Sequence, residues 1–212
     1  MKLLSLLTLI LFFSTLSAKA QAQSQRILFM VNRGFNAHEF YVPLEVFKKA
    51  GHRVTTATLE ASVTLPDHRQ LKDFPGVRGD LTFKQINFQD FDAIVFAGGN
   101  GSWEDYFPNE DVHRVLTQFM ASGKIVALVC ASTGLLGVAN NLDGQGTPIA
   151  AGRNVTGYYK VEGLLRVLGK VRYHPGKKGQ PFVVVDRNLI TGRDPESAEL
   201  FAKTVVEELS KK

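Results

Sequence analysis

The sequence predicts an α/β fold: one domain on a doubly wound, mostly parallel sheet with helices on both faces. Three observations point there. The unbroken apolar runs Ile27-Leu28-Phe29-Met30-Val31 and Ile125-Val126-Ala127-Leu128-Val129 have the length of strands buried on both faces. Segments with helical spacing alternate with such runs, the pattern of a parallel sheet with crossover helices. The chain has 212 residues without internal repeat, linker or low-complexity tract, which fits one core.

The elements follow in order. Arg26 to Val31 is the first strand, and Asn32 to His38 a loop containing Gly34. A helix runs from there to about Ala50, with Gly51 as its stop, and Pro43 either starts its regular part or kinks it. Val54 to Leu59 is the second strand, and Asp67 to Asp80, rich in Pro and Gly, is the longest loop. Asp92 to Phe96 is the third strand and ends in Gly98-Gly99-Asn100-Gly101. Val112, Val115, Leu116, Phe119 and Met120 mark a helix closed by Gly123. The 125–129 strand follows, and Leu135, Leu136, Val138 and Ala139 continue the apolar pattern as a helix after it. Pro181 to Asp186 and Leu189-Ile190 form a hairpin turning near Arg187-Asn188. In the last helix Asp194 is the cap, Pro195 lies in the first turn, and Ala198, Phe201, Ala202, Val205, Val206 and Leu209 form the buried stripe.

Residues 1–20 have the pattern of a secretory signal. Met1-Lys2 is a short basic region, Leu3 to Leu16 an apolar stretch too short to span a membrane, and Ser17-Ala18-Lys19-Ala20 a small-residue cleavage site. Cleavage after Ala22 is a second option. The expectation is an exported, periplasmic or secreted domain over residues 25–212, not held at a membrane once the signal is removed. The net charge of +5 falls to about +3 with loss of Lys2 and Lys19. The basic residues are scattered, so nothing points to nucleic acid. The single cysteine excludes an internal disulfide and a cysteine-based zinc site, and the five histidines show no metal-ligand spacing.

That cysteine, Cys130, sits where a buried strand meets a helix. A sharp strand-to-helix turn lifts a side chain out of the sheet and surrounds it with backbone N–H groups. A thiol there is biased toward the thiolate, with an expected pKa of about 3.5–7.5. The alternative is a small buried hydrophobe, the common fate of a free cysteine. In a doubly wound sheet ligands bind beyond the carboxyl ends of the strands. Three loops meet there: His38-Glu39, Gly98-Gly99-Asn100-Gly101 and Cys130-Ala131-Ser132. Their chemistry is covalent catalysis by a thiolate, with Gly99 and Ala131 offering N–H groups to an oxyanion and Glu39 moving protons. Glu39 is equally readable as an acid favoured at a helix start, and Gly98-Gly99 as a tight turn.

Together these pieces resemble the ThiJ/PfpI superfamily over nearly all of the mature chain. The resemblance rests on Glu39-x-x-x-Pro43 with Gly51, on Asp92-Ala93-Ile94-Val95-Phe96-Ala97-Gly98-Gly99-Asn100, and on Val126-Ala127-Leu128-Val129-Cys130. Val155-Thr156-Gly157 and Leu189-Ile190-Thr191-Gly192-Arg193-Asp194-Pro195 extend it. It implies a flavodoxin-like, class I glutamine amidotransferase-like fold and a homodimer. It also implies Cys130 as elbow nucleophile, Glu39 as its acidic partner, and Gly99 and Ala131 as oxyanion donors. Two departures stand out. Ala131 occupies a position where some branches carry histidine, and Tyr158 lies near the position of another branch's histidine. His38 and His174 are the possible substitutes. Without a histidine, amidase and peptidase chemistry is disfavoured, because a leaving amine needs a general acid; an amidase or peptidase-like hydrolase or an isonitrile hydratase is the weaker alternative. The first expectation is a cofactor-free, metal-free glyoxalase III or deglycase-like enzyme acting on an aldehyde or 2-oxoaldehyde. The second is a non-enzymatic oxidative-stress sensor or holding chaperone with an oxidisable Cys130.

Overall fold

A computed structural model describes residues 24–140 and 145–212; the expected signal segment 1–20 lies outside the described residues. The chain forms β1 (Arg26–Val31), α1 (Ala37–Lys49), β2 (Arg53–Thr58), β3 (Val63–Thr64), β4 (Val77–Arg78), β5 (Leu81–Thr82) and β6 (Ala93–Phe96). It continues with α2 (Glu110–Ser122), β7 (Ile125–Val129), α3 (Leu135–Val138), β8 (Asn154–Val155) and β9 (Arg172–Tyr173). It ends with β10 (Val183–Asp186), β11 (Leu189–Gly192) and α4 (Ala198–Ser210). Seven strands make the central sheet in the order β10-β11-β7-β6-β1-β2-β5. All pairs in it are parallel except the β10–β11 hairpin. This is the doubly wound, flavodoxin-like α/β architecture expected from the alternating pattern.

Burial explains why the strands read as continuous apolar runs. Every side chain of β6 and β7 is buried, as is all of β1 after Arg26. One face packs on α1 and α4 through Phe29, Phe40, Phe47, Phe201 and Val205. The other packs on α2 and the 135–173 region through Phe96, Tyr106, Leu116, Phe119 and Leu165. Removing so much apolar surface from water is the main stabilising term of such a core.

Two expectations need correction. The second strand spans Arg53–Thr58, one residue earlier than its apolar pattern suggests, because Arg53 pairs with Arg26 at the start of the ladder. The segment after Cys130 is not a long helix. It is a 3₁₀ stretch, Cys130–Gly134, followed by the single α turn of α3, and Ala139 turns extended. Gly134 and Gly137 lie inside this segment, where neighbours press on the backbone: a Cβ at Gly134 would collide with Phe107, and one at Gly137 would lie 2.6 Å from the Leu164 carbonyl oxygen. Tight packing has replaced helix length there.

Candidate active site

The carboxyl ends of β1, β6 and β7 carry the three loops that converge. After β1, the Asn36 side chain caps α1 by accepting from the N–H groups of His38 (3.1 Å) and Glu39 (3.4 Å). This fixes the first turn so that His38 faces solvent while Glu39 is fully buried. Pro43, inside α1, has no N–H to return to the Glu39 carbonyl one turn earlier.

The glycine loop after β6 lies against this turn. The Asn36 N–H donates to the Gly98 carbonyl at 3.0 Å, and Phe35 and Gly99 form a bridge. Gly99 has φ +124°, which only glycine adopts readily. Gly98 is required by space. A Cβ there would collide with Glu39 Oε2 and lie 2.6 Å from the Val129 carbonyl oxygen and 2.9 Å from Cys130 Cβ. The missing side chain lets the carboxyl approach the cysteine.

Cys130 has φ +59°, a left-handed conformation uncommon outside glycine, so the elbow is real and strained. Its surroundings hold it. The Thr133 hydroxyl donates to the Cys130 carbonyl at 2.6 Å, and the Tyr158 N–H donates to the same oxygen at 3.3 Å. Ser132 Oγ accepts from the Val129 N–H at 3.1 Å and lies 2.8 Å from the Val129 carbonyl oxygen.

Electrostatically, Glu39 and Cys130 form one unit. Burial pushes Glu39 up to about 8; the nearby Cys130 thiol and Gly98 N–H oppose this only in part, and Asp194 adds to it. Neither carboxyl oxygen has a well-formed hydrogen bond, so the thiol and amide face it loosely. The Cys130 thiol is also pushed up, first by burial and then by a charge on Glu39, with the Ala131 N–H pulling the other way. This reverses the sequence-based expectation of a lowered thiol pKa. The turn is largely shielded from water, with Cys130 only 7 % exposed, and the helix meant to favour the thiolate is too short to dominate. A charge on Glu39 opposes ionisation of the Cys130 thiol, so the two groups titrate together.

Glu39, Gly98, Cys130 and Ala131 therefore meet, while Gly99 lies against the Gly34, Phe35 and Asn36 backbone. Tyr158 joins them: it packs against the cluster that contains Cys130 and Ala131 and lies within the electrostatic reach of the sulfur. Three other candidates do not join. His38 is exposed and sets its ring edge-on to Phe74 at 5.2 Å. His174 is exposed and places Nε2 3.0 Å from Asn154 Oδ1. The Asn100 amide donates to Asp67 at 2.9 Å and braces a loop. Two residues escaped the sequence argument. Asp194 caps the turn before α4, as expected, but its charge also acts on Glu39 and Cys130. Arg69, paired with buried Asp67 (2.8 and 3.1 Å), acts electrostatically on Tyr158; it comes from the irregular 67–80 stretch, where no periodicity marks it. Beside Tyr158 and Asp194 opens a cleft of about 580 Å³, lined also by Tyr159, Tyr173, Lys178 and Arg193. Among the described residues, no cluster of three His, Cys, Asp or Glu could hold a metal, and no helix is long and apolar enough to cross a membrane.

The chain as a whole is similar to known proteins. Protein dj-1beta of Drosophila melanogaster is 28% identical over 189 residues, covering 89% of this chain and 91% of that protein. Glyoxalase 3 of Candida albicans is 23% identical over 200 residues, covering 77% and 84%. Protein/nucleic acid deglycase 2 of Escherichia coli is 27% identical over 180 residues, covering 84% and 94%. The crystal structure of Drosophila melanogaster DJ-1beta superposes with a TM-score of 0.74 at 27% identity, covering 89% of this chain and 92% of that one. The profile of the DJ-1/PfpI family matches residues 25–208, and the chain belongs to that family.

Proposed function

We propose that this protein is a cofactor-free, cysteine-dependent enzyme of glyoxalase type, converting small 2-oxoaldehydes to 2-hydroxy acids, and that it acts as an exported homodimer after removal of residues 1–20. The observation that carries the reading is the buried Glu39 carboxyl held against the elbow cysteine through the gap at Gly98. Relatives named as glyoxalase and deglycase support the reaction class. The reaction asks little of the site. The Cys130 sulfur bonds to the aldehyde carbon, and the thiol proton passes to the carbonyl oxygen, giving a hemithioacetal. Glu39 takes the proton from that carbon and returns it to the neighbouring one, while the hemithioacetal hydroxyl proton passes to the former ketone oxygen, leaving the thioester of a 2-hydroxy acid. Water cleaves the thioester and restores the thiol. The net change is addition of one water, with no external oxidant or reductant. No amine leaves, so a histidine acid is not needed.

The test is turnover of methylglyoxal with detection of the hydroxy acid product. Wild-type protein should form it, and Cys130→Ser should form none. A wild-type protein inert toward 2-oxoaldehydes overturns the reading.

A further inference from the structure

A 2-oxoaldehyde has two carbonyl oxygens, and the groups described so far deal with one. We propose that the Tyr158 hydroxyl donates a hydrogen bond to the second carbonyl oxygen, making the site selective for 1,2-dicarbonyls over simple aldehydes. This rests on the glyoxalase reading above. Three observations place Tyr158 for the task. Its backbone N–H is tied to the Cys130 carbonyl at 3.3 Å, so it moves with the elbow. Its ring packs where the two halves of the core meet, against the cluster containing Cys130 and Ala131. It also lines the cleft of about 580 Å³ while lying within electrostatic reach of the sulfur. The Ala131 N–H already serves the sulfur side.

Burial pushes the phenol up to about 12, helped by Tyr159 and by charge at Cys130, so it stays a donor over the working pH range. When Glu39 removes the proton from the sulfur-bearing carbon, the electron pair delocalises onto the second carbonyl oxygen. The Tyr158 O–H stabilises that charge without giving up its proton; the carboxyl then protonates the second carbon, and the proton of the hemithioacetal hydroxyl passes to the second oxygen as the thioester forms. A simple aldehyde has no second oxygen, so its addition to Cys130 does not involve Tyr158. His38 and His174 face solvent elsewhere and offer no competing donor.

The experiment compares wild type with Tyr158→Phe, which keeps the ring. Two readouts are used: methylglyoxal turnover, and protection of Cys130 from iodoacetamide by methylglyoxal or by propanal. The expected result is a loss of about 10²–10³ in kcat, as for removal of one preorganised donor. Protection by methylglyoxal should weaken while protection by propanal stays within twofold. Turnover by Tyr158→Phe within threefold of wild type overturns the proposal and leaves the glyoxalase reading intact. Equal loss of propanal protection overturns it too, because a general packing role would do the same. If wild type gives no product, protection decides: equal methylglyoxal protection of both proteins overturns the Tyr158 role, whereas Tyr158-dependent protection sustains it while the turnover reading falls.

Discussion

Glu39 has to be ionised to take a proton from carbon, yet burial holds its carboxyl near 8. The facing groups all bear on that value: the Cys130 thiol and Gly98 N–H from neighbouring loops favour ionisation, while Asp194, and desolvation above all, oppose it. Activity should therefore rise with pH, by about tenfold per unit below the limb, and level off above about 8. A rate profile against methylglyoxal checks this; a limb near the ordinary 4.5 would mean a solvated carboxyl and remove the argument. Glu39→Gln should lose the limb and about 10²–10⁴ of the rate. At this scale the sequence was informative about identity and poor about environment. Cys130 and Glu39 stand at positions that chain punctuation marks, the end of an apolar run and a helix start. The direction of the thiol shift was illegible because it depends on how completely other loops exclude water. For the same reason His38 and His174 were candidates in sequence and are solvent-facing in space.

The elements set the spacing between those two groups, and the glycine loop is the closest constraint. At Gly98 the backbone conformation is ordinary, but a methyl group has no room against Glu39 Oε2, the Val129 carbonyl and Cys130 Cβ. Gly98→Ala should destabilise the fold by about 1–3 kcal/mol through overpacking. It should also lower kcat by about 10² or more, since displacing the carboxyl from the thiol by an ångström is that costly. Gly163→Ala is the control: a Cβ there meets nothing within 4 Å, and stability should change by less than about 0.5 kcal/mol. Urea midpoints and initial rates read both effects; a Gly98→Ala protein with normal rates would show that the loop tolerates a side chain. Buried strands, the Gly51 and Gly123 helix stops and the Asp194 cap were legible because each has a local chemical cause. The short helix after Cys130 was not, because Leu135, Leu136 and Val138 continue a helical pattern while contacts at Gly134 and Gly137 with distant residues end it. The 67–80 stretch likewise hid β4 and Arg69, whose places depend on pairing with β3 and on Asp67.

At the scale of the whole molecule, burying a carboxyl at the sheet's end couples function to stability. The sequence pattern implied a parallel sheet but not its order β10-β11-β7-β6-β1-β2-β5, which is what brings β1, β6 and β7 side by side and Glu39 under Cys130. That placement makes Glu39 a group whose folded pKa, about 8, lies above its ordinary 4.5. Between those values the unfolded chain ionises while the folded one keeps the proton, so folding takes up a proton and stability falls as pH rises. The decline from this one group should total about 5 kcal/mol and be complete just above pH 8. Asp67 and Asp92 act in the opposite sense at lower pH, because paired Arg69 and Arg26 hold them below the usual carboxylate range. Their contribution is present above the unfolded carboxylate pKa and fades in acid. Stability should therefore peak between these windows, near the ordinary carboxylate pKa or slightly above it. Raised Cys130 steepens the loss again only above its ordinary value of 9.0. Urea unfolding of wild type and Glu39→Gln from pH 5 to 9 isolates the Glu39 part. The neutral amide cannot ionise, so the variant should lose much less stability between pH 5 and 8 and overtake wild type in relative terms as pH rises. Parallel curves for the two proteins would mean that Glu39 titrates alike in folded and unfolded chains, and that it is not the buried proton carrier on which the active site depends.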